Sequence, residues 1–414
     1  MKTLLLLLAL LPGAARAGLD ESARALAAAV AEKPAGLTAL LDADFFRQLS
    51  LERASGLLAD LYRDNGAVTA VKTVRAESPN MGHFIFETEK GFDIPAAVAL
   101  NPENGRVSGF YFGQPYRHNP TLKLVREKLD GLPGKKAFLA RRLGRNGADL
   151  EAYDPGSALA VGSVFKLYVL GAMLQEGMSW KKIVTLEDGD RSLPSGRLQD
   201  WPAGAPFTAY TLAAMMVSES DNTAADMLIS ALGRRALEAD LRKLGHSSPE
   251  RLKPFLRTSE LFRLKSDSEA SLKYLNLPAE ERYLFLAGLA SRPLAAAELK
   301  QSPFGAAAIE WTASPADLCR LMEYFSRAGS SEALDIMAMN PGLNAPEGFT
   351  YAGYKGGSEP GVLAMTWLLK DKDGAWYCVA GAWNDDVKEL DQPAFFGLMQ
   401  TALNALAPAA GKAE

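Results

Sequence analysis

From residue 20 to about residue 62 apolar residues recur every third or fourth position ("LDESARALAAAVAEKPAGLTALLDADFFRQLSLERASGLLADLYRDNG"), and the run closes on Asn65-Gly66. That period predicts helices. The pattern then changes to an alternation of apolar and polar residues in "AVTAVKTVRAES" and "GHFIFETEKGFDIPAAVALNPENGRVSGFYFGQP", with turn signals at Glu89-Lys90-Gly91 and from Asn101 to Gly105. Alternation between turn signals predicts the strands of a meander. Residues 18–120 are therefore expected to form a small α+β domain of helix plus β-meander.

Residues 121–134 change character at a Gly-Leu-Pro-Gly break and are expected to be a linker. Two short strands should follow, then helices from Ser163 to about Ala328. "GYKGGSEPGVLAMTWLLKDKDGAWYCVAGAWN" reads as two strands joined at Asp373-Gly374, with a last helix to about Leu406. Strands, helices, then strands and a helix describe an α/β sandwich over 135–406, whose sheet gathers both ends of the domain. Residues 407–414 are an Ala-rich tail. A length of 414 residues agrees with more than one domain.

The extreme N-terminus alters the expected location. "MKTLLLLLALLPGAARA" joins a lysine, an apolar run from Leu4 to Leu11, a Pro-Gly break and an Ala-x-Ala site. These are the parts of a secretory signal peptide covering 1–17, with cleavage after Ala17, and the run is far short of the ~20 residues of a membrane span. A secreted or periplasmic protein is expected. A net charge of −4 gives no footprint for nucleic acid or anionic lipid. Cys319 and Cys378 could pair in an exported protein or stay free.

The candidate chemistry starts inside an apolar run. "SALAVGSVFKLYVLGAMLQEG" carries Ser163 and Lys166 where a buried helix is expected, and a buried ammonium is costly unless it is hydrogen-bonded or gives up its proton. Ser-x-x-Lys also occurs at Ser179 and Lys182, but in a polar loop. Ser220-Asp221-Asn222 opens a second helix, where such residues are common simply as caps. Lys355-Gly356-Gly357 lies on an expected strand, whereas Lys243-Leu244-Gly245 falls at a polar helix end and Lys372-Asp373-Gly374 in a turn.

Ser-x-x-Lys, Ser-Asp-Asn and Lys-x-Gly in this order are the motif set of class A β-lactamases and penicillin-binding proteins. Residues 135–406 resemble that superfamily of active-site serine hydrolases, with "LAVGSVFKLYVL" and "VSESDNTAADMLI" similar to its nucleophile and second-helix segments. "SGRLQDWPAG" and "KGGSEPGVL" are similar to secreted two-domain hydrolases with a nuclear-transport-factor-2-like domain in front, a type including a protein of clavulanic-acid gene clusters. The resemblance implies a β-lactamase/transpeptidase-like sandwich and an acyl-enzyme mechanism. Lys166 would be the base for Ser163, and Ser220 would relay a proton. Asn222, Lys355, Gly357 and Ser358 would bind substrate, with the Ser163 and Ser358 amides as an oxyanion hole.

Three features depart from that pattern. No carboxylate stands near Phe255 to Arg257, where the resemblance would put the glutamate that activates deacylating water. Glu260 is the nearest candidate, and its place three residues into a helix also fits a capping role. Gly356 replaces a hydroxyl residue, and residues 265–310 form a helical insertion that is either a surface addition or a cap over the cleft. His83, His118 and His246 have no ligand spacing, so neither a metal nor another cofactor is expected. The N-terminal domain reads as a packing or docking module. The expected function is an exported serine hydrolase acting on a β-lactam, ester or peptidoglycan-like peptide, with slow β-lactam release and esterase activity above β-lactamase activity. The alternative is a binding or sensing protein that acylates without turnover.

Overall fold

The computed structural model describes residues 18–289, 292 and 295–407. The expected signal peptide, residues 1–17, lies outside the described residues. The chain divides into two compact units, one ending at Asn119 and one beginning at Pro120.

In the first unit, helices Leu19–Ala28 and Leu51–Asn65 precede four antiparallel strands in chain order: Val68–Ser78, Met81–Thr88, Phe92–Leu100 and Val107–Phe112. The Ser50 hydroxyl accepts from the Arg53 N–H at 3.2 Å and starts the second helix, as a cap residue does. Phe84, Phe86, Ile94 and Val98 join Leu26 and Leu58 in the core. Phe84 and Phe86 come from alternate positions of one strand, so one face of the sheet is buried by the helices.

Residues 121–134 are not a linker. Leu122–Asp130 is a helix capped by the Thr121 hydroxyl. Its Val125 and Leu129 are fully buried in one cluster with Trp367 and Phe395. The short polar-looking segment owes its order to that four-residue apolar spacing, which closes one face of the second sheet.

That sheet has the antiparallel order Phe349–Glu359, Val362–Asp371, Trp376–Asn384, Lys135–Arg142, Ala148–Tyr153. The C-terminal stretch thus forms three strands instead of two, because the chain also reverses at Pro360-Gly361, with Gly361 at φ 74°. Alternate residues of Lys135–Arg142 face opposite ways. Ala137 and Leu139 enter the core shared with the main helical layer, and Phe138 and Ala140 enter the core under Leu122–Asp130 and Gln392–Ala405. The sheet is therefore buried between two helical layers, which explains the nearly continuous burial along Val362–Asp371. Cys319, on helix Pro315–Ala328, is disulfide-bonded to Cys378 on Trp376–Asn384 and ties the main helical layer to the sheet. The insertion is helical over Ser268–Asn276 and Ala279–Leu289.

Candidate active site

Ser163 lies in a 3-10 turn, Gly162–Phe165, that runs directly into helix Lys166–Gln175. In a 3-10 turn residues three apart eclipse one another. Ser163 and Lys166 therefore share a face, and the Lys166 Nζ donates to the Ser163 Oγ at 3.2 Å. Phe165, between them in sequence, is stacked on Trp311 with ring centroids 3.7 Å apart and edge-on to Phe255. Aromatic stacking thus anchors the turn that carries the polar pair.

Lys166 is completely buried. Its ammonium also donates to the Ser220 carbonyl at 2.6 Å, the Ser220 Oγ at 3.1 Å and the Asn222 Oδ1 at 2.7 Å. Burial, and next the positive charge of Lys355, hold its pKa well below the usual lysine range. Lys355 donates to the same Ser220 Oγ at 3.0 Å and to the Gly356 carbonyl at 2.7 Å. Desolvation brings its own pKa down to about 7. A single hydroxyl therefore bridges two buried amines, an arrangement suited to passing a proton.

Ser220 holds that position at φ 58°, a left-handed conformation that costs a non-glycine residue about 1 kcal/mol or more. Its neighbours secure it. The Asp221 carboxylate accepts from the Ala224 N–H at 2.8 Å, the Arg197 N–H at 2.6 Å and the Leu198 N–H at 3.0 Å. Asn222 donates from Nδ2 to the Leu193 carbonyl at 2.9 Å. Sequence reasoning saw Asp221 only as a cap, and its clamp on a loop some 24 residues upstream has no local signal.

The strand Phe349–Glu359 approaches the Ser163 turn at Gly357. A Cβ there would lie 2.0 Å from the Val161 carbonyl oxygen and 2.6 Å from the Ser163 nitrogen, and one on Gly162 would lie 3.1 Å from the Ser358 nitrogen. The Ser163 and Ser358 amides are thereby brought to one narrow gap, where they can stabilise developing negative charge on a carbonyl oxygen. Ser163, Lys166, Ser220, Asn222, Lys355, Gly357 and Ser358 come together in this way.

Glu260 does not join them through any described contact. It is the third residue of helix Thr258–Ser266, where one oxygen accepts from the Arg257 N–H at 2.8 Å and the other binds Arg234 at 2.5 Å. Ser179 and Lys182 are separately employed, Ser179 in a turn to the Lys181 N–H and Lys182 on the Ala231 carbonyl. Asp226, unnoticed in the sequence, is fully buried. It accepts from the Thr258 and Ser259 N–H groups, and burial raises its pKa to about 6.

Among the described residues one group has metal-binding proximity: Glu87, Asp93 and His118 of the first unit, with ligand atoms within 4.8 Å of one another. His118 is thus brought to carboxylates that no sequence spacing revealed. Lys72 pairs with Glu87, and the His118 Nδ1 lies 2.9 Å from the Asp93 Oδ1, so each member of the group already has a partner within the protein.

The sequence model described as the beta-lactamase enzyme family matches residues 132–341, just over half of the chain. That span includes Ser163, Lys166, Ser220 and Asn222 and stops before Lys355. A crystal structure of a beta lactamase from Xanthomonas campestris pv. campestris is similar in fold, with a TM-score of 0.50 at 16% identity over 70% of this chain and 97% of that one. A beta-lactamase from Desulfarculus baarsii (TM-score 0.48, 20% identity, 70% and 96% covered) and the protein PBP-A (0.47, 17%, 69% and 94%) also match. No curated protein sequence matches the chain significantly.

Proposed function

The chain belongs to the beta-lactamase enzyme family, and from that premise we propose an exported serine hydrolase that works through an acyl-enzyme on Ser163. The observation that carries this reading is the buried Lys166 ammonium within hydrogen-bond distance of both the Ser163 and Ser220 hydroxyls. A serine hydroxyl is a weak nucleophile until a neighbouring base takes its proton. Lys166, with its depressed pKa, is that base.

In this scheme Oγ of Ser163 gives its proton to the Lys166 Nζ and attacks the substrate carbonyl. The oxyanion sits between the Ser163 and Ser358 amides, an interaction worth about 3 kcal/mol per donor. Lys166 passes the proton through Ser220 to the leaving nitrogen or oxygen. Asn222 orients the substrate amide, and Lys355 attracts a substrate carboxylate. The substrate is a β-lactam, a small ester or a cell-wall-type peptide. Export is supported by the N-terminal segment 1–17 and by the disulfide, a bond favoured outside the cytosol.

The engagement of Glu260 by Arg234 favours one second reading, a sensor that acylates and stalls. Intact-protein mass spectrometry, followed over time with a panel of β-lactams and acyl esters, separates the two. A transient adduct that is absent in Ser163→Ala supports the hydrolase, and a permanent one supports the sensor. An adduct that persists in Ser163→Ala refutes both.

A further inference from the structure

Alternate residues of a strand share a face, so Lys355, Gly357 and Glu359 line the same side of Phe349–Glu359. Lys355 reaches Ser220 and Gly357 lies against the Ser163 backbone. Glu359, about 7 Å further along, lies on the side of the nucleophile away from Lys355. With Pro194, Phe262, Lys265 and Ser358 it lines a cavity of about 390 Å³, and its side chain is 16% exposed, so water can reach it.

Nothing in acylation uses this carboxylate, and the ammonium paired with it, Lys265, is shared with a second carboxylate. Lys265, from helix Thr258–Ser266, donates at 2.5 Å to Glu310 and stands 3.7 Å from Glu359. Glu310 is buried, and its second oxygen has no hydrogen-bond partner among the described residues. Lys166 faces Glu359 from the nucleophile helix, and each charge acts on the other's protonation. Lys300 and Glu389 also stand on the cavity wall. Burial first, then the Glu310 charge, push the Glu359 carboxyl up to about 7 against the opposing pull of Lys265 and Lys166. A general base works best with a pKa near the working pH.

We propose that Glu359 is the general base of deacylation, an inference that rests on the acyl-enzyme reading. A water in the cavity gives a proton to the Glu359 carboxylate as its oxygen forms a bond to the acyl carbon. The carbonyl electron pair moves onto the oxyanion, then returns and breaks the bond to the Ser163 Oγ. Glu359 returns its proton by way of water to the neutral Lys166 amine, which delivers it to that oxygen, and every group is restored. The substrate leaves as a free acid.

The experiment is pre-steady-state kinetics with a chromogenic penicillin and a p-nitrophenyl ester, paired with intact-protein mass spectrometry between pH 5 and 9. In the unmodified protein the release rate should fall as pH drops through about 7. Glu359→Gln should acylate within threefold of the unmodified protein, release about a hundredfold more slowly, and lose the bend near pH 7. Glu310→Gln should keep release but move the bend to lower pH, because a neighbouring negative charge is removed and Lys265 is freed for Glu359; a purely structural role would leave the bend unmoved. Adduct formation in the unmodified protein with unchanged release in Glu359→Gln overturns this assignment alone, as does equal loss of acylation and release in a folded variant. Absence of any Ser163 adduct in either protein overturns the acyl-enzyme reading and the inference with it.

Discussion

Gly357→Ala adds one methyl group at the closest approach between the Lys355 strand and the nucleophile turn. Gly357 has an ordinary backbone conformation, so the change acts through space alone. The new carbon would stand 2.0 Å from the Val161 oxygen, 2.6 Å from the Ser163 nitrogen and 2.9 Å from the Gly162 carbonyl carbon, all of them backbone atoms. Comfortable separations are about 3.5 Å, so strand and turn must part by more than ~1 Å. A displacement of that size costs about a hundredfold when it misplaces reacting groups, and loss of one oxyanion donor costs about 10² to 10³ in rate. We expect acylation of a chromogenic ester, measured by stopped flow, to fall about a thousandfold. Stability should fall by only about 1–3 kcal/mol, the usual cost of overpacking, measured by denaturant unfolding. A folded Gly357→Ala protein that acylates within tenfold of the unmodified rate would show that the gap between the Ser163 and Ser358 amides is not the oxyanion site.

Other substitutions test the remaining assignments. Lys166→Ala should slow acylation by about 10² to 10⁴, whereas Lys182→Ala should leave it within twofold; comparable losses in the same stopped-flow assay would contradict the geometric distinction between the two Ser-x-x-Lys pairs. Glu260→Gln should lower stability by about 2–4 kcal/mol, since it leaves the Arg234 charge without its buried partner, and should not change the rate at which the acyl group leaves. A hundredfold drop in release with unchanged unfolding would instead make Glu260 the deacylating carboxylate. With its folded pKa at about 7, Lys355 is charged below that pH and neutral above it. KM for a carboxylate-bearing substrate should therefore rise between pH 6 and 8.5 while KM for an uncharged ester stays level, and parallel profiles would remove Lys355 from substrate binding. For the uncharged ester, acylation should climb with pH as Lys166 loses its proton.

The helix and strand periods of both units, and the three motifs around Ser163, Ser220 and Lys355, were legible in the sequence because each is written in residues a few positions apart. Local text also separated Ser163 from Ser179, since only the first sits in an apolar run that becomes a buried helix. The helix Leu122–Asp130 was misread as a linker because its two buried residues, Val125 and Leu129, gain their order only from the sheet they cover. The Pro360-Gly361 reversal was missed because apolar strands on both sides read as one.

The site itself divides in the same way. Sequence singled out Ser163 and the two lysines, but only folding could set Ser220 between two amines, since those three groups come from positions 166, 220 and 355. Folding also placed the carboxylates. Glu260 looked available from its place in the chain and is held by Arg234, while Glu359, inconspicuous beyond a Gly-Gly pair, lies on the Lys355 face of its strand. A carboxylate's chemistry is set by which charges surround it and how much water reaches it, and both are properties of groups distant in sequence that only tertiary packing brings within a few ångströms.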